Sequence, residues 1–319
     1  VLHTVNPRLF PEQIAWIINH AEDKILFFDT TFTPIVEKIA PLLTTVKTYV
    51  AFTDRDNLPK SSPLQIIAYE DFIAGQSHEA QWGGFDENTA CGLCYTSGTT
   101  GDPKGVLYSH RSNVIHAMAA NQTDVFGCGA NDVVLPIVPM FHANAWAIAF
   151  VAPMCGSKFV MPGAKLDGQS VYELLEGEKV TFTAAVPTVW QGLLGFLREN
   201  NLKPTTLKRV AIGGSAIPEI VLRAFEEDFG VEVIHAWGMT EMSPIGTTGK
   251  LLPEHYAQDH ESQIKAKMKQ GRPPFTVEMK IVDDESKRVP HDGKAFGRLM
   301  VRGPAVARAY FKNAGAKNE

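Results

Sequence analysis

The sequence predicts an α/β protein whose sheets are mostly parallel and flanked by helices, with a small antiparallel β region toward its end. Three observations carry this reading. From Ala90 onward, apolar β-rich runs alternate with helical stretches, which is the pattern of strands covered by crossover helices. The helical stretches are long enough to return the chain for parallel pairing. After Pro244 the character changes, and short apolar runs flank a Pro/Asp/Gly turn at hairpin spacing.

Taken in order, Pro11 to Ala21 places Ile14, Ile17, Ile18 and Ala21 at helical spacing, with Pro11 and Glu12 suited to a first turn. Strand-like Lys24 to Phe28 follows, and polar, glycine-containing Gln76 to Glu87 predicts a loop. Strands are expected over Ala90–Tyr95, Asp132–Val138, Thr181–Val186, Leu207–Ile212 and Val231–Ile234. Helices are expected over Arg111–Gln122, Val171–Lys179, Thr188–Glu199 and Pro218–Phe229. The apolar run Ala143 to Cys155 falls short of the ~20 residues that span a bilayer, so it predicts a core helix. Charged Glu261–Lys269 reads as a solvated helix, and Val277–Val282 with Arg298–Val301 reads as a hairpin about Pro290 to Gly293. The expected division is a first α/β region over 1–82, the main α/β region over 83–245 and a β-rich region over 246–319.

Composition bounds the function. In 319 residues, 30 Lys+Arg stand against 35 Asp+Glu, and 45% of residues are hydrophobic. That excludes a disordered chain and gives no electrostatic footprint for nucleic acid, so any phosphate site must be local. With 4 cysteines there is no disulfide scaffold, and a reducing cytoplasm is the expected location. Cys91 and Cys94 form a CxxC without a second pair and read as part of a buried strand. The chain opens at Val1 and ends in polar Lys312 to Glu319, which suggests a fragment truncated at both ends.

The most informative stretch is Tyr95-Thr96-Ser97-Gly98-Thr99-Thr100-Gly101-Asp102-Pro103-Lys104-Gly105, directly after an apolar strand. Glycines let successive N–H groups converge on an anion, hydroxyls add donors and Lys104 adds a point charge. The combination suits a polyphosphate. Lys104 precedes Gly105 rather than Ser or Thr, so this is not a Walker A loop, and no G-x-G-x-x-G opens a helix near the first strand. Gly213 and Gly214 end a predicted strand, where missing side chains would admit a flat purine or simply make a turn. Glu241 offers a hard oxygen suited to Mg2+ and Thr240 a hydroxyl suited to a phosphate oxygen. His142 follows an apolar strand and the Pro139 turn, and Trp146, four residues on, is expected on the same helix face.

Four segments in this order resemble the adenylate-forming enzymes, which include acyl-CoA synthetases, luciferases and peptide-synthetase adenylation domains. They are the Thr96–Lys104 loop, Val138-Pro139-Met140-Phe141-His142, Ile212-Gly213-Gly214-Ser215-Ala216 and Ala236-Trp237-Gly238-Met239-Thr240-Glu241. The opening Leu2-His3-Thr4-Val5-Asn6-Pro7-Arg8-Leu9 is similar to bacterial fatty-acyl-CoA ligases. The resemblance implies the large N-terminal domain of such an enzyme, with two helix-flanked sheets and an antiparallel barrel-like subdomain. It implies nucleotide binding by Thr96, Ser97, Gly98, Thr99, Thr100, Gly101 and Lys104, by Gly213, Gly214, Ser215 and Ala216, and by Trp237, Gly238, Met239 and Thr240. It places Lys104, His142, Thr240 and Glu241 in catalysis and makes Glu241 the metal ligand. His142, Trp146, Val186, Pro187 and Thr188 would line the acyl pocket.

The implied reaction is ATP- and Mg2+-dependent formation of an acyl-adenylate from a carboxylic acid, followed by transfer to CoA. A fatty acid is the expected acid, with 3-methylmercaptopropionate as a substrate variant; a silent nucleotide- or acyl-binding protein of the same fold is the alternative. Similar enzymes are often homodimers. The family's ribose-binding aspartate finds no match after Tyr310-Phe311-Lys312, and the resemblance implies that the small C-terminal domain with its catalytic lysine is expected outside these residues.

Overall fold

A computed structural model describes residues 1–96 and 102–312. Its strands are β1 (Leu2–His3), β2 (Ile25–Phe28), β3 (Thr48–Ala51), β4 (Ile66–Ala68), β5 (Ala90–Tyr95), β6 (Gly105–Ser109) and β7 (Val133–Pro136). They continue as β8 (Lys158–Phe159), β9 (Phe182–Ala185), β10 (Arg209–Ile212), β11 (Glu232–Gly238), β12 (Ile245–Thr248), β13 (Glu278–Val282) and β14 (Arg298–Arg302).

A six-stranded sheet in the order β12-β11-β10-β9-β7-β8 forms the centre. All its pairings are parallel except β11 with β12. Helices Gly168–Gly177 and Pro187–Glu199 cover one face, where Trp190, Leu193, Leu197, Val210, Ile212 and Phe225 form one core cluster. The helices His110–Ala120 and Ile148–Cys155 help bury a second cluster with Phe126, Val134, Phe182, Ala211 and Ile234. Residues of one strand therefore divide between two cores: Val210 goes to the first and Ala211 to the second, as period-two geometry requires of a sheet buried on both faces.

A smaller parallel sheet, β2-β3-β4, packs near the helix Pro11–Ala21, whose bounds match the sequence reading. The pair β13 and β14 is antiparallel, as the spacing predicted. β1 pairs in parallel with β5, and β12 begins at Ile245.

The run Ala143 to Cys155 is not the single helix its apolarity suggested. Ala143, Asn144, Ala145, Trp146 and Ala147 all have φ between 42° and 67°, so the chain makes a left-handed turn before the right-handed helix Ile148–Cys155. The Trp146 amide still donates to the His142 carbonyl at 3.1 Å, so the i, i+4 spacing between these residues is kept in a turn of opposite hand. Among the described residues no helix is long and apolar enough to cross a membrane.

Candidate active site

Loops at the C-terminal ends of parallel strands build the site. Val186, Pro187 and Thr188 follow β9, and Gly213 and Gly214 follow β10. His142 lies beyond β7, while Gly238 ends β11 and leads to Met239, Thr240 and Glu241. In open α/β sheets this edge is where ligands bind.

Of the predicted phosphate loop, Ser97, Gly98, Thr99, Thr100 and Gly101 lie outside the described residues. Its two ends are joined: the Thr96 amide donates to the Lys104 carbonyl at 2.9 Å, and the Lys104 amide donates to Thr96 Oγ1 at 3.1 Å. The Lys104 ammonium lies 4.9 Å from the ring centroid of Tyr310. The Tyr310 hydroxyl donates to Glu241 Oε1 at 2.5 Å. Burial first, then the Glu241 carboxylate, push the Tyr310 phenol up to about 12, so it keeps its proton. Tyr310 thus brings Lys104 and Glu241, both singled out from sequence, onto one side chain.

The Thr240–Glu241 turn is held from three directions. Tyr108, buried on β6, donates its hydroxyl to the Thr240 carbonyl at 2.7 Å. The Ala307 amide donates to the Glu241 carbonyl at 2.8 Å, and Ser243 Oγ donates to the Ala305 carbonyl at 2.8 Å. Gly238 has a packing reason to be glycine, since a Cβ there would stand 2.0 Å from the Pro244 carbonyl oxygen. Trp237 packs against Gly246, and Met239 is exposed.

Gly213 and Gly214 form one wall together with Trp146 and Val186. A Cβ on Gly213 would lie 2.6 Å from the Ala236 carbonyl oxygen and 3.3 Å from the Trp146 ring. One on Gly214, whose φ is +79°, would lie 3.1 Å from Val186 and 3.7 Å from Trp146. The turn reading holds at Gly214, where φ is positive, and Gly213 is confined by the backbone of the neighbouring strand. Ser215 and Ala216 are exposed, as is Thr188, whereas Pro187 is buried under its helix. His142 stacks at a tilt on Phe141, with ring centroids 4.7 Å apart. Partial burial, reinforced by the charge of Arg8, lowers its imidazole below the usual range and favours the neutral form.

Sequence reasoning missed Tyr310, Tyr108 and the buried Asn144 inside the left-handed turn. A phenol followed by Phe311 and Lys312 carried no local signal of its bond to Glu241, which is 69 residues away.

For a metal, Glu241 is a lone hard ligand: among the described residues no group of three or more His, Cys, Asp or Glu could hold an ion. A lone carboxylate fits Mg2+ arriving with a polyphosphate, since that ion is bound through one or two carboxylates plus phosphate oxygens and water. It does not fit a resident cage.

Fold and site together define an α/β protein that gathers an ammonium, a carboxylate and a glycine-lined wall at the ligand edge of a parallel sheet. The model of the AMP-binding enzyme family matches residues 1–311, and the chain belongs to that family. It is 49% identical to a 3-methylmercaptopropionyl-CoA ligase of Ruegeria pomeroyi over 312 residues, which are 98% of this chain and 58% of that protein. It is 48% identical over 311 residues to a medium-chain-fatty-acid–CoA ligase of Ectopseudomonas oleovorans, covering 98% of this chain and 57% of the other. Among solved structures, an anthranilate CoA ligase in complex with anthranoyl-AMP superposes with a TM-score of 0.82 at 23% identity, over 98% of this chain and 57% of that one. The chain thus spans less than three fifths of the length of these curated relatives.

Proposed function

We propose that this chain supplies the adenylating site of an ATP-dependent carboxylic acid–CoA ligase acting on a fatty acid of medium or long chain, or on 3-methylmercaptopropionate. The names of the two relatives support that choice of acids. A carboxylate is a poor acyl donor because its oxygen does not leave. Its oxygen attacks the α-phosphorus of ATP, the bond to the β-phosphate oxygen breaks and pyrophosphate departs. CoA thiolate then attacks the carbonyl carbon of the acyl-adenylate and AMP departs with its oxygen.

The residues present support these roles by position. Lys104 and Thr96 flank the phosphate loop in sequence, and Glu241, just beyond β11, accepts from the Tyr310 hydroxyl, whose ring lies beside Lys104. Mg2+ bound at Glu241 would neutralise charge on the phosphate oxygens. Gly213 to Ala216 offer backbone to the adenine, and His142, Trp146, Val186, Pro187 and Thr188 border the acid. The protein contributes positioning and charge stabilisation, where one preorganised donor is worth roughly 10²–10³ in rate.

The observation that carries this reading is the meeting of Lys104 and Glu241 on Tyr310, because a polyphosphate and its cation need an ammonium and a carboxylate side by side. Carboxylate-dependent ATP–pyrophosphate exchange by the product of the whole gene, over a panel of acids, tests it. Exchange with fatty acids or 3-methylmercaptopropionate is the expected result. No exchange with any acid, while nucleotide still binds, would leave a silent nucleotide- or acyl-binding protein and overturn the ligase reading.

A further inference from the structure

Resting on that reading, we infer that Tyr310 is a positioning residue for the metal-binding carboxylate: its hydroxyl orients Glu241 for the cation while its ring keeps Lys104 from pairing with that carboxylate. Segment 305–311 is built to do this. It fixes the backbone on both sides of the site, with the Ala307 amide on the Glu241 carbonyl at 2.8 Å and the Phe311 amide on the Gly105 carbonyl at 2.7 Å. Tyr310 itself bridges to Val106, next to Gly105 and one residue further from Lys104.

The chemistry of the donor matters. A carboxylate has about four lone-pair sites, and the phenol fills one of them. Because the phenol is neutral, Glu241 is held in one orientation and keeps its full charge for a cation. A lysine in the same place would fix the carboxylate equally well but cancel that charge. The ring face meanwhile offers Lys104 an alternative partner at 4.9 Å, a cation–π contact that leaves the ammonium available for phosphate. Outer partners of this kind set metal affinity, and their loss typically weakens it about 10–100-fold.

The test is titration of Mn2+ into the chain at saturating non-hydrolysable ATP analogue, followed by the electron paramagnetic resonance signal of free Mn2+, with metal-free analogue affinity measured alongside. Tyr310→Phe keeps the ring and removes only the hydroxyl. It should weaken Mn2+ binding about 10-fold or more and leave metal-free nucleotide affinity unchanged. Mn2+ affinity equal to that of the unaltered chain would overturn the inference, and so would an equal loss of metal-free affinity, which marks a merely structural phenol. Failure of the unaltered chain to bind the analogue at all would overturn the adenylation reading and the inference with it.

Discussion

The amide of Ile245 donates to Nε2 of His116 at 3.4 Å, so a buried imidazole from the helix His110–Ala120 braces the strand that leaves the Glu241 turn. His116 is 2% exposed, and burial lowers its pKa to about 4. The folded chain therefore needs the neutral ring, as an acceptor and as a core group. The unfolded chain takes up a proton near the ordinary histidine value, about 6.5. Between those values the unfolded state binds more protons, so this residue's contribution is fully present above about pH 6.5 and is lost as pH falls toward 4. The loss is on the order of 3 kcal/mol. Urea midpoints between pH 7 and pH 5 should fall more steeply in the parent chain than in His116→Gln. Equal slopes would show that the ring titrates normally.

Gly213→Ala should destabilise the protein by about 1–3 kcal/mol, the usual cost of overpacking. The first obstacle is the Ala236 carbonyl oxygen, 2.6 Å from where the Cβ would stand, and the backbone of β11, paired on both sides, cannot retreat. Trp146 is the second, at 3.3 Å, and a side chain can move. Trp146→Ala should therefore fail to rescue Gly213→Ala in thermal melts of the double variant. Full rescue would assign the constraint to the indole instead.

Lys104→Ala and Glu241→Ala should each lower pyrophosphate exchange by about 10²–10³. Lys104 is exposed, so its removal should change stability by only about 0.5 kcal/mol or less. Unchanged exchange in both variants would remove the phosphate site from these residues.

What the sequence made legible was local. The helix Pro11–Ala21 was readable because Pro11, the acidic first turn and the isoleucine spacing all act within one segment. Strands β5, β7, β9, β10 and β11 were readable because burial on both faces leaves continuous apolar runs. Within the site, Lys104, Thr240, Glu241 and the double glycine stood out by residue type, and the described geometry brings Lys104 near Glu241. Tyr310 and Tyr108 were not legible, since each acts through a hydroxyl bond to a partner 69 or 132 residues away. Nothing in a tyrosine's neighbours encodes such a partner.

The left-handed turn was illegible for a different reason, and it yields a matched test. Alanine strongly favours a right-handed helix, and a left-handed conformation costs a non-glycine residue roughly 1–2 kcal/mol. Tertiary packing must therefore impose positive φ on Ala143, Ala145 and Ala147. Ala147 and Ala152 are each 1% exposed, so truncating either to glycine removes an equivalent buried methyl. They differ in backbone: Ala147 has φ 67°, whereas Ala152 sits within the right-handed helix Ile148–Cys155. Glycine relieves strain at the first position and costs about 1 kcal/mol of helix propensity at the second. Ala147→Gly should thus be more stable than Ala152→Gly by about 2 kcal/mol in urea denaturation. If the run from Ala143 were one right-handed helix, as its apolarity alone suggests, the two variants would lose stability equally.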